Sequence, residues 1–281
     1  MTHALQAVIF DVDGTLADTE RDGHRPAFNA AFKEYGLDWN WDVPLYGELL
    51  AVTGGKERMR TFCAGHRPDF LSRPDADALI AELHQAKTRH YVAFMERGEI
   101  PPRPGVVRLI RELQTAGIRL AIATTTTPAN VDALLRHTLH ALPPVTFEVI
   151  GAGDIVPAKK PAPDIYTWVL GKLGLPPSAC LAVEDSRNGV LAARGAGLPV
   201  LVAHSSYTLG EDFTGAAAVL SDLGEPGRPA RVIAGIAPER GMADAAYLAR
   251  LHAACGCPDE PAGTDCRSEV MTSVSGHHDE R

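Results

Sequence analysis

Short, continuous apolar runs recur along the chain, and segments of helical pattern separate them. The first run, Ala7–Phe10, ends at an acidic turn that begins with Asp11. Continuous rather than alternating apolarity is typical of strands that are covered on both faces, as in parallel α/β sheets. The same pattern predicts further strands at 118–124, 146–151, 180–184 and 198–203, and a weaker one near 216–220.

The distance between the first two predicted strands indicates an inserted domain. A crossover between parallel strands needs about a dozen residues, yet Phe10 and Ile118 are separated by far more. The intervening sequence carries apolar stripes of helical spacing, which end at Gly36 and Gly98. We therefore expect a helical domain between the first two strands.

These patterns predict an α/β fold with a Rossmann-like parallel-sheet core and an inserted α-helical cap. The core comprises residues 1–17 and 99–223, and the cap comprises residues 18–98. Residues 224–281 are rich in Gly, Pro, Ala and polar residues, which predicts a partly disordered tail with one short helix at 243–254.

Charge and composition exclude several function classes. The formal net charge of −8 argues against a broad face for nucleic acid. No apolar run is long enough to span a membrane, and the residues before the first strand leave no room for a signal peptide. The scattered cysteines suit reduced thiols. We expect a cytoplasmic protein, monomeric or weakly oligomeric, that binds neither nucleic acid nor membrane.

The tail also contains residues that invite a zinc interpretation. These residues are Cys255, Cys257, Cys266, His277 and His278. Their spacing is not that of a standard structural zinc site, and we do not favour this interpretation.

Polar and charged residues follow the predicted strands. In open α/β sheets, ligands bind beyond the carboxyl ends of the strands. The residues at these ends are Asp11, Asp13, Thr124, Thr125, Lys160, Glu184 and Asp185. Taken singly, each has an ordinary interpretation as a turn former, a helix cap or a solvated charge. Together they supply a carboxylate nucleophile, oxygen ligands for a hard cation and a cation for phosphate, which indicates phosphoryl transfer.

Four of these segments resemble the four motifs of the haloacid dehalogenase superfamily. They are Asp11-Val12-Asp13-Gly14-Thr15, the strand that ends at Thr124, Lys160-Pro161-Ala162-Pro163-Asp164, and Glu184-Asp185-Ser186. The order and spacing resemble those of members with a helical cap after the first motif, which include phosphoglycolate phosphatase and β-phosphoglucomutase.

The resemblance implies a role for each motif residue. Asp11 would attack phosphorus and form an aspartyl-phosphate, and Asp13 would act as general acid and then general base. Thr124 and Lys160 would hold phosphate oxygens. Mg²⁺ would be held by the side chains of Asp11 and Asp185 and by the Asp13 backbone carbonyl, with Glu184 as a ligand directly or through water.

A narrower resemblance concerns the substrate. The segments 36–42, 53–58 and 124–127 and the pair Lys159-Lys160 look like those of a Calvin-cycle subgroup, the xylulose-1,5-bisphosphate phosphatases. A second phosphate needs its own cations, and the cap offers Lys56, Arg58 and Lys87, each of which is also an ordinary residue of a solvated face. Glu20 or His24 could contact sugar hydroxyls, and each is also an ordinary surface residue at a helix start.

Three alternatives stay open at this point. The enzyme could be a phosphoglycolate phosphatase or a phosphomutase like β-phosphoglucomutase, and a non-enzymatic sugar-phosphate binding module is the third alternative. None of Asp11, Asp13 and Asp185 is lost, which argues against the last of these. The segment 18–26 departs from relatives by one extra residue and a glycine, and this leaves open which side chain enters the cleft.

Overall fold

A computed structural model describes residues 4–52, 54–139 and 147–255 of the chain. Within these residues, seven strands form one sheet in the order β3-β2-β1-β4-β5-β6-β7, in which only the β6–β7 pair is antiparallel. The strands are β1 (Ala7–Phe10), β2 (Arg119–Ala123), β3 (Val149–Gly151), β4 (Cys180–Glu184), β5 (Val200–Ala203), β6 (Ala218–Leu220) and β7 (Val232–Gly235). The predicted α/β fold with a parallel-sheet core is therefore confirmed.

The inserted segment between β1 and β2 is helical, and the remaining helices accompany the sheet. The helices of the insertion are α1 (Arg25–Glu34), α2 (Val43–Leu49), α3 (Gly55–His66), α4 (Pro68–Leu71) and α5 (Ala76–Glu96). The helices around the sheet are α6 (Val106–Thr115), α7 (Pro128–His137), α8 (Asp164–Leu173), α9 (Arg187–Gly195) and α10 (Ala245–Cys255).

Both faces of the sheet are buried, which explains why its central strands are continuously apolar. In β1, Val8 and Phe10 belong to the hydrophobic cluster on one face, whereas Ala7 and Ile9 belong to the cluster on the other. This alternation follows from the two-residue period of a strand. Since helices cover the two faces, the sheet can present functional side chains only at its edges and ends.

The inserted helices have a hydrophobic core of their own. Its centre is an aromatic cluster in which the ring of Trp41 lies 4.6 Å from that of Phe28 and 5.4 Å from that of Phe62. Buried aromatic side chains contribute large apolar areas, and aromatic pairs add about 0.5–1.5 kcal/mol each. This separate core supports our proposal that residues 18–98 form a cap.

Segment 18–26, which the resemblance predicts to carry one extra residue, contains a π-helix, Glu20–His24, immediately before α1. Such π-helical turns are rare in proteins and are frequent at functional sites. Gly23 is needed there because a Cβ atom would lie 2.6 Å from the Ile100 side chain and 2.8 Å from the Tyr91 ring.

The segment after residue 223 contributes more to the core than its composition predicted. β7 extends the sheet, and α10, which corresponds to the predicted helix at 243–254, buries Tyr247, Leu248 and Leu251 in the same cluster as α6. The sequence analysis missed β7, although Val232, Ile233 and Ala234 form a short apolar run, because this run lies within the segment that was predicted to be a partly disordered tail. The predictions for the chain beyond Cys255, including the tail zinc residues Cys257, Cys266, His277 and His278, lie outside the described residues.

Candidate active site

A cleft of about 320 Å³ opens at the carboxyl ends of the central strands, beneath the inserted helices. The loops after the five strands β1 to β5 line it, together with the π-helix, the end of α2 and the start of α9. The lining residues include Asp11, Asp13, Asp18, Glu20, Thr125, Lys160, Asp185, Asn188, Ser205, Tyr207, Thr208 and Glu211. The sheet therefore brings the acidic and basic residues of the four motif segments to one place.

A buried ammonium group joins two of the motif carboxylates. Lys160 Nζ donates hydrogen bonds to Asp11 Oδ1 at 2.7 Å and Glu184 Oε1 at 2.6 Å, and a third to the Ala123 carbonyl at 2.8 Å. The Tyr166 hydroxyl donates to the same Glu184 oxygen at 2.5 Å. Burial disfavours the charge of Lys160, but Asp11 and Glu184 outweigh it and raise the pKa of this ammonium group.

Three carboxylates form a cluster that fits a divalent cation. Ligand atoms of Asp11, Glu184 and Asp185 all lie within 4.8 Å of one another, and all three residues are buried. Burial and the neighbouring negative charges raise the pKa of Glu184 to about 7 and that of Asp185 well above its usual value. Lys160 offsets only part of this repulsion, and a hard, oxygen-liganded cation would offset the rest.

Asp13 lies beside the carboxylate cluster but has different partners. Its Oδ1 accepts a hydrogen bond from Thr19 Oγ1 at 2.6 Å, and Thr126 also hydrogen-bonds to its carboxyl group. Burial and the charge of Asp11 raise the pKa of Asp13 to about 7. The Asp13 carboxyl group is thus able to carry a proton near neutral pH, which is what proton transfer to or from a substrate requires.

Two glycines allow the carboxylates to pack this closely. Gly14 has a φ of +87°, and a Cβ atom at this position would lie 2.1 Å from Asp185 Oδ2. Gly189, in the first turns of α9, leaves room for Glu184, because a Cβ atom there would lie 1.9 Å from Glu184 Oε2. Backbone freedom explains the first glycine, whereas space alone explains the second.

We expect Gly189→Ala to lower the free energy of unfolding by about 1–3 kcal/mol, because the added methyl group overpacks the Glu184 carboxylate. Gly171→Ala is the matched control: Gly171 is also helical, and no atom lies within 4 Å of its potential Cβ. The control should gain up to about 1 kcal/mol from helix propensity. Urea unfolding measures both, and a Gly189→Ala protein as stable as wild type would contradict the packing.

The structure separates the two predicted threonines. Thr124 is buried at the end of β2, where its Oγ1 accepts a hydrogen bond from the Thr126 backbone N–H at 3.2 Å. Thr125 is exposed and lines the cleft. Among the described residues that line the cleft, the loop after β2 contributes Thr125 but not Thr124.

The predicted cap residues occupy different environments. Glu20 lines the cleft and accepts a hydrogen bond from the Tyr46 hydroxyl at 2.6 Å. The buried Arg58 donates to that same hydroxyl at 2.8 Å and to the Leu49 carbonyl at 3.2 Å, so its guanidinium serves the internal structure of the cap. Lys56 is exposed in the first turn of α3 and does not belong to the described cleft lining.

Lys87 is the cap cation most closely linked to the site. Its Nζ donates a hydrogen bond to His24 Nδ1 at 2.9 Å and lies 5.2 Å from the ring centroid of Tyr91. Burial lowers the pKa of Lys87 to about 8, although the charges of Glu20 and Asp13 oppose this shift. Like Lys56, Lys87 is not among the described residues that line the cleft, but it lies close enough for the charges of Glu20 and Asp13 to act on it.

The loop after β5 supplies site residues that the sequence analysis missed. Ser205 hydrogen-bonds to Asp185, and Thr208 Oγ1 lies 3.4 Å from Asp185 Oδ2. Ligands bind beyond the carboxyl ends of the strands, and this holds for β5 as it does for β1. The position of Ser205 and Thr208 directly after the predicted fifth strand could therefore have identified them as candidates.

Arg103 is a further residue that the sequence analysis missed. It follows the inserted segment, and its guanidinium donates to backbone carbonyls of Gly14, Ala203, His204 and Ser221. It therefore ties the first motif to the ends of β5 and β6. No motif spacing signals this role, because the partners are main-chain atoms.

No helix among residues 4–52, 54–139 and 147–255 has the length and apolar character needed to cross a membrane.

Comparisons with known proteins agree with this geometry. Residues 5–197 match the family model described as haloacid dehalogenase-like hydrolase. The CbbY protein of Rhodobacter capsulatus is 54% identical over 219 residues, which cover 78% of this chain and 94% of that protein. The predicted phosphatase class and its resemblance to the Calvin-cycle subgroup are confirmed by these matches.

Two solved structures of CbbY from Rhodobacter sphaeroides are similar to this chain. The complex with phosphate is 48% identical, has a TM-score of 0.63, and the match covers 79% of this chain and 96% of that one. A variant in complex with xylulose-(1,5)bisphosphate is 47% identical, with a TM-score of 0.62 and coverage of 78% and 94%. The chain, with its four motif segments at one edge of the sheet, belongs to the haloacid dehalogenase-like hydrolase family.

Proposed function

We propose that this protein is a magnesium-dependent phosphatase that hydrolyses xylulose 1,5-bisphosphate to xylulose 5-phosphate through an aspartyl-phosphate. The observation that carries the proposal is the buried group of Asp11, Glu184, Asp185 and Lys160 in one cleft beside Asp13. The similar CbbY structure that holds xylulose bisphosphate supports this choice of substrate.

The carboxylate cluster is the proposed magnesium site. The side chains of Asp11 and Asp185 and the backbone carbonyl of Asp13 would hold the ion, with Glu184 as a ligand directly or through water. When bound, Mg²⁺ supplies positive charge for the phosphate oxygens and relieves repulsion within the cluster. Asp185 is supported for this role by hydrogen bonds from the loop after β5.

Asp11 is the proposed nucleophile. Its carboxylate attacks phosphorus, the bond from phosphorus to the sugar oxygen breaks, and the phosphoryl group is transferred to Asp11. The hydrogen bond from Lys160 fixes the orientation of the carboxylate, and the same ammonium group can offset charge on the phosphoryl oxygens.

Asp13 is the proposed general acid and base. Its raised pKa of about 7 allows it to donate a proton to the departing sugar oxygen. The resulting carboxylate can then take a proton from the water that attacks the aspartyl-phosphate, which returns Asp13 to its protonated form. In the structure, Thr19 Oγ1 donates a hydrogen bond to this carboxyl group at 2.6 Å, which orients it in the cleft.

The cap would recognise the rest of the sugar bisphosphate. Glu20 lines the cleft and is the candidate acceptor for sugar hydroxyls. Among the cap cations, we assign the main contact with the second phosphate to the half-buried Lys87, because it is the one whose charge is coupled to those of Glu20 and Asp13 at the cleft. Arg58 would act by holding Tyr46 and Glu20, and Lys56 would act at longer range.

A substrate panel tests the proposal. Phosphate release should be measured with xylulose 1,5-bisphosphate, ribulose 1,5-bisphosphate, fructose 1,6-bisphosphate, phosphoglycolate and β-glucose 1-phosphate, in Mg²⁺ and in excess EDTA. We expect release only with Mg²⁺ and a kcat/KM for xylulose 1,5-bisphosphate at least about tenfold above the others.

Each alternative has a distinct outcome in this panel. A preference for phosphoglycolate would contradict the substrate but not the chemistry. Conversion of β-glucose 1-phosphate to glucose 6-phosphate without free phosphate would indicate a mutase. Binding of the sugar phosphates without any turnover would contradict the enzyme.

A further inference from the structure

The loop after β5, residues 204–208, touches both the carboxylate cluster and the connection to the cap. Thr208 Oγ1 accepts a hydrogen bond from the Ser205 backbone N–H at 2.8 Å, and both hydroxyl side chains face Asp185. Between them, Ser206 Oγ donates to Asp18 Oδ2 at 3.1 Å, at the start of the inserted segment. The loop is thus fixed at two points, one in the carboxylate cluster and the other where the chain enters the inserted segment.

Tyr207, the remaining side chain of this loop, lies against the cap. Its ring centroid is 5.8 Å from that of Tyr46, and it packs on the aromatic core of the cap. The backbone of Gly47 in α2 approaches the same ring so closely that a Cβ atom there would lie 3.2 Å from Tyr207 Cδ1. A core side chain is therefore seated on a cap helix at the edge of the cleft.

We propose that Tyr207 is a positioning residue that seats the helical cap on the core and thereby determines selectivity for substrates that contact both. This inference rests on the proposed function. A sugar bisphosphate with one phosphate at Asp11 and the other near Lys87 needs a fixed distance between core and cap. Small errors in such a distance are costly, because misplacement by about 1 Å can reduce turnover about 100-fold.

The ring, and not the hydroxyl group, makes the seating contact. Tyr207 touches Tyr46 and Gly47 through ring atoms, and its buried hydroxyl has no hydrogen-bond partner among the described residues. Tyr207→Phe should therefore keep the function, whereas Tyr207→Ala should lose it. A role as hydrogen-bond donor to the substrate would give the opposite result for Tyr207→Phe.

The experiment compares two substrates on the same protein preparations. One is xylulose 1,5-bisphosphate, or the preferred bisphosphate of the panel, and the other is p-nitrophenyl phosphate, which has no second phosphate for the cap. We expect Tyr207→Ala to lower the ratio of kcat/KM for the bisphosphate to kcat/KM for p-nitrophenyl phosphate at least about tenfold, mainly by raising KM for the bisphosphate. The same ratio in Tyr207→Phe should stay within about twofold of the wild-type ratio. Partial unfolding leaves this ratio unchanged, because it affects both substrates equally.

Gly47→Ala tests the same contact from the cap side. Alanine is a better helix former than glycine, so the variant should fold, but its methyl group would press on the Tyr207 ring. We expect it to lower the ratio in the wild-type background and to have no effect in the Tyr207→Ala background.

Two results would overturn the inference. They are an unchanged ratio in Tyr207→Ala, and an equal effect of Gly47→Ala in both backgrounds. A wild-type protein that hydrolyses neither substrate would instead contradict the proposed function.

Discussion

We expect the Asp11→Asn protein to release phosphate at least about 10⁴-fold more slowly than wild type, with its fold retained. The amide has the shape of the carboxylate but is a far weaker nucleophile, and it removes one negative ligand from the cluster with Glu184 and Asp185. Initial rates of phosphate release with saturating bisphosphate and Mg²⁺ measure the effect, and thermal unfolding checks the fold.

Asp154→Asn is the matched control for this variant. It makes the same chemical change in the loop after β3, where Asp154 is exposed and pairs with Lys159 at 2.9 Å. Exposed pairs of this kind contribute about 0–1 kcal/mol, and we expect normal activity. If Asp11→Asn retained more than about 1% of wild-type activity, Asp11 could not be the nucleophile.

Lys160→Met should have the second largest effect, on stability as well as on rate. In metal-free solution, we expect a loss of about 3–5 kcal/mol in the free energy of unfolding, because an unpaired buried charge remains when one partner is removed. The Lys160 ammonium group contacts Asp11 at 2.7 Å and Glu184 at 2.6 Å, and all three side chains are 10% exposed or less. The rate should fall about 100-fold or more through lost charge stabilisation.

The neighbouring lysine provides a strict comparison. Lys159 is 56% exposed, and Lys159→Met should change stability by no more than about 0.5 kcal/mol. Urea unfolding in the presence of EDTA measures both variants. A loss below about 1 kcal/mol in Lys160→Met would show that the buried contacts of Lys160 contribute little beyond a surface pair.

Most residues of the core site could be predicted because topology places them. Asp11, Thr125, Lys160 and Asp185 each follow a strand or lie in a loop at the carboxyl edge of the sheet, and consecutive apolar runs reveal that edge in the sequence. The distance between Phe10 and Ile118 likewise reveals the insertion. These inferences need only strand positions and connection lengths.

The cap residues could not be resolved in the same way. Whether a helical Arg or Lys faces the cleft depends on how several helices pack. The sequence therefore did not distinguish Arg58 from Lys87. In the structure, Arg58 donates hydrogen bonds to Tyr46 and Leu49, whereas Lys87 donates one to His24. Tyr207 was missed because its partners lie in another part of the chain. Tertiary packing, rather than local pattern, decides these positions.

Trapping of the covalent intermediate tests the central claim, attack by Asp11 on phosphorus, most directly. The enzyme would be mixed with Mg²⁺ and its preferred bisphosphate, quenched rapidly in acid, reduced with borohydride and digested for peptide mass spectrometry. We predict homoserine in place of Asp11, only in samples that contained substrate and never in the Asp11→Asn protein. Reduction at another carboxylate, or rapid turnover with the Asp11 peptide unmodified, would contradict the account.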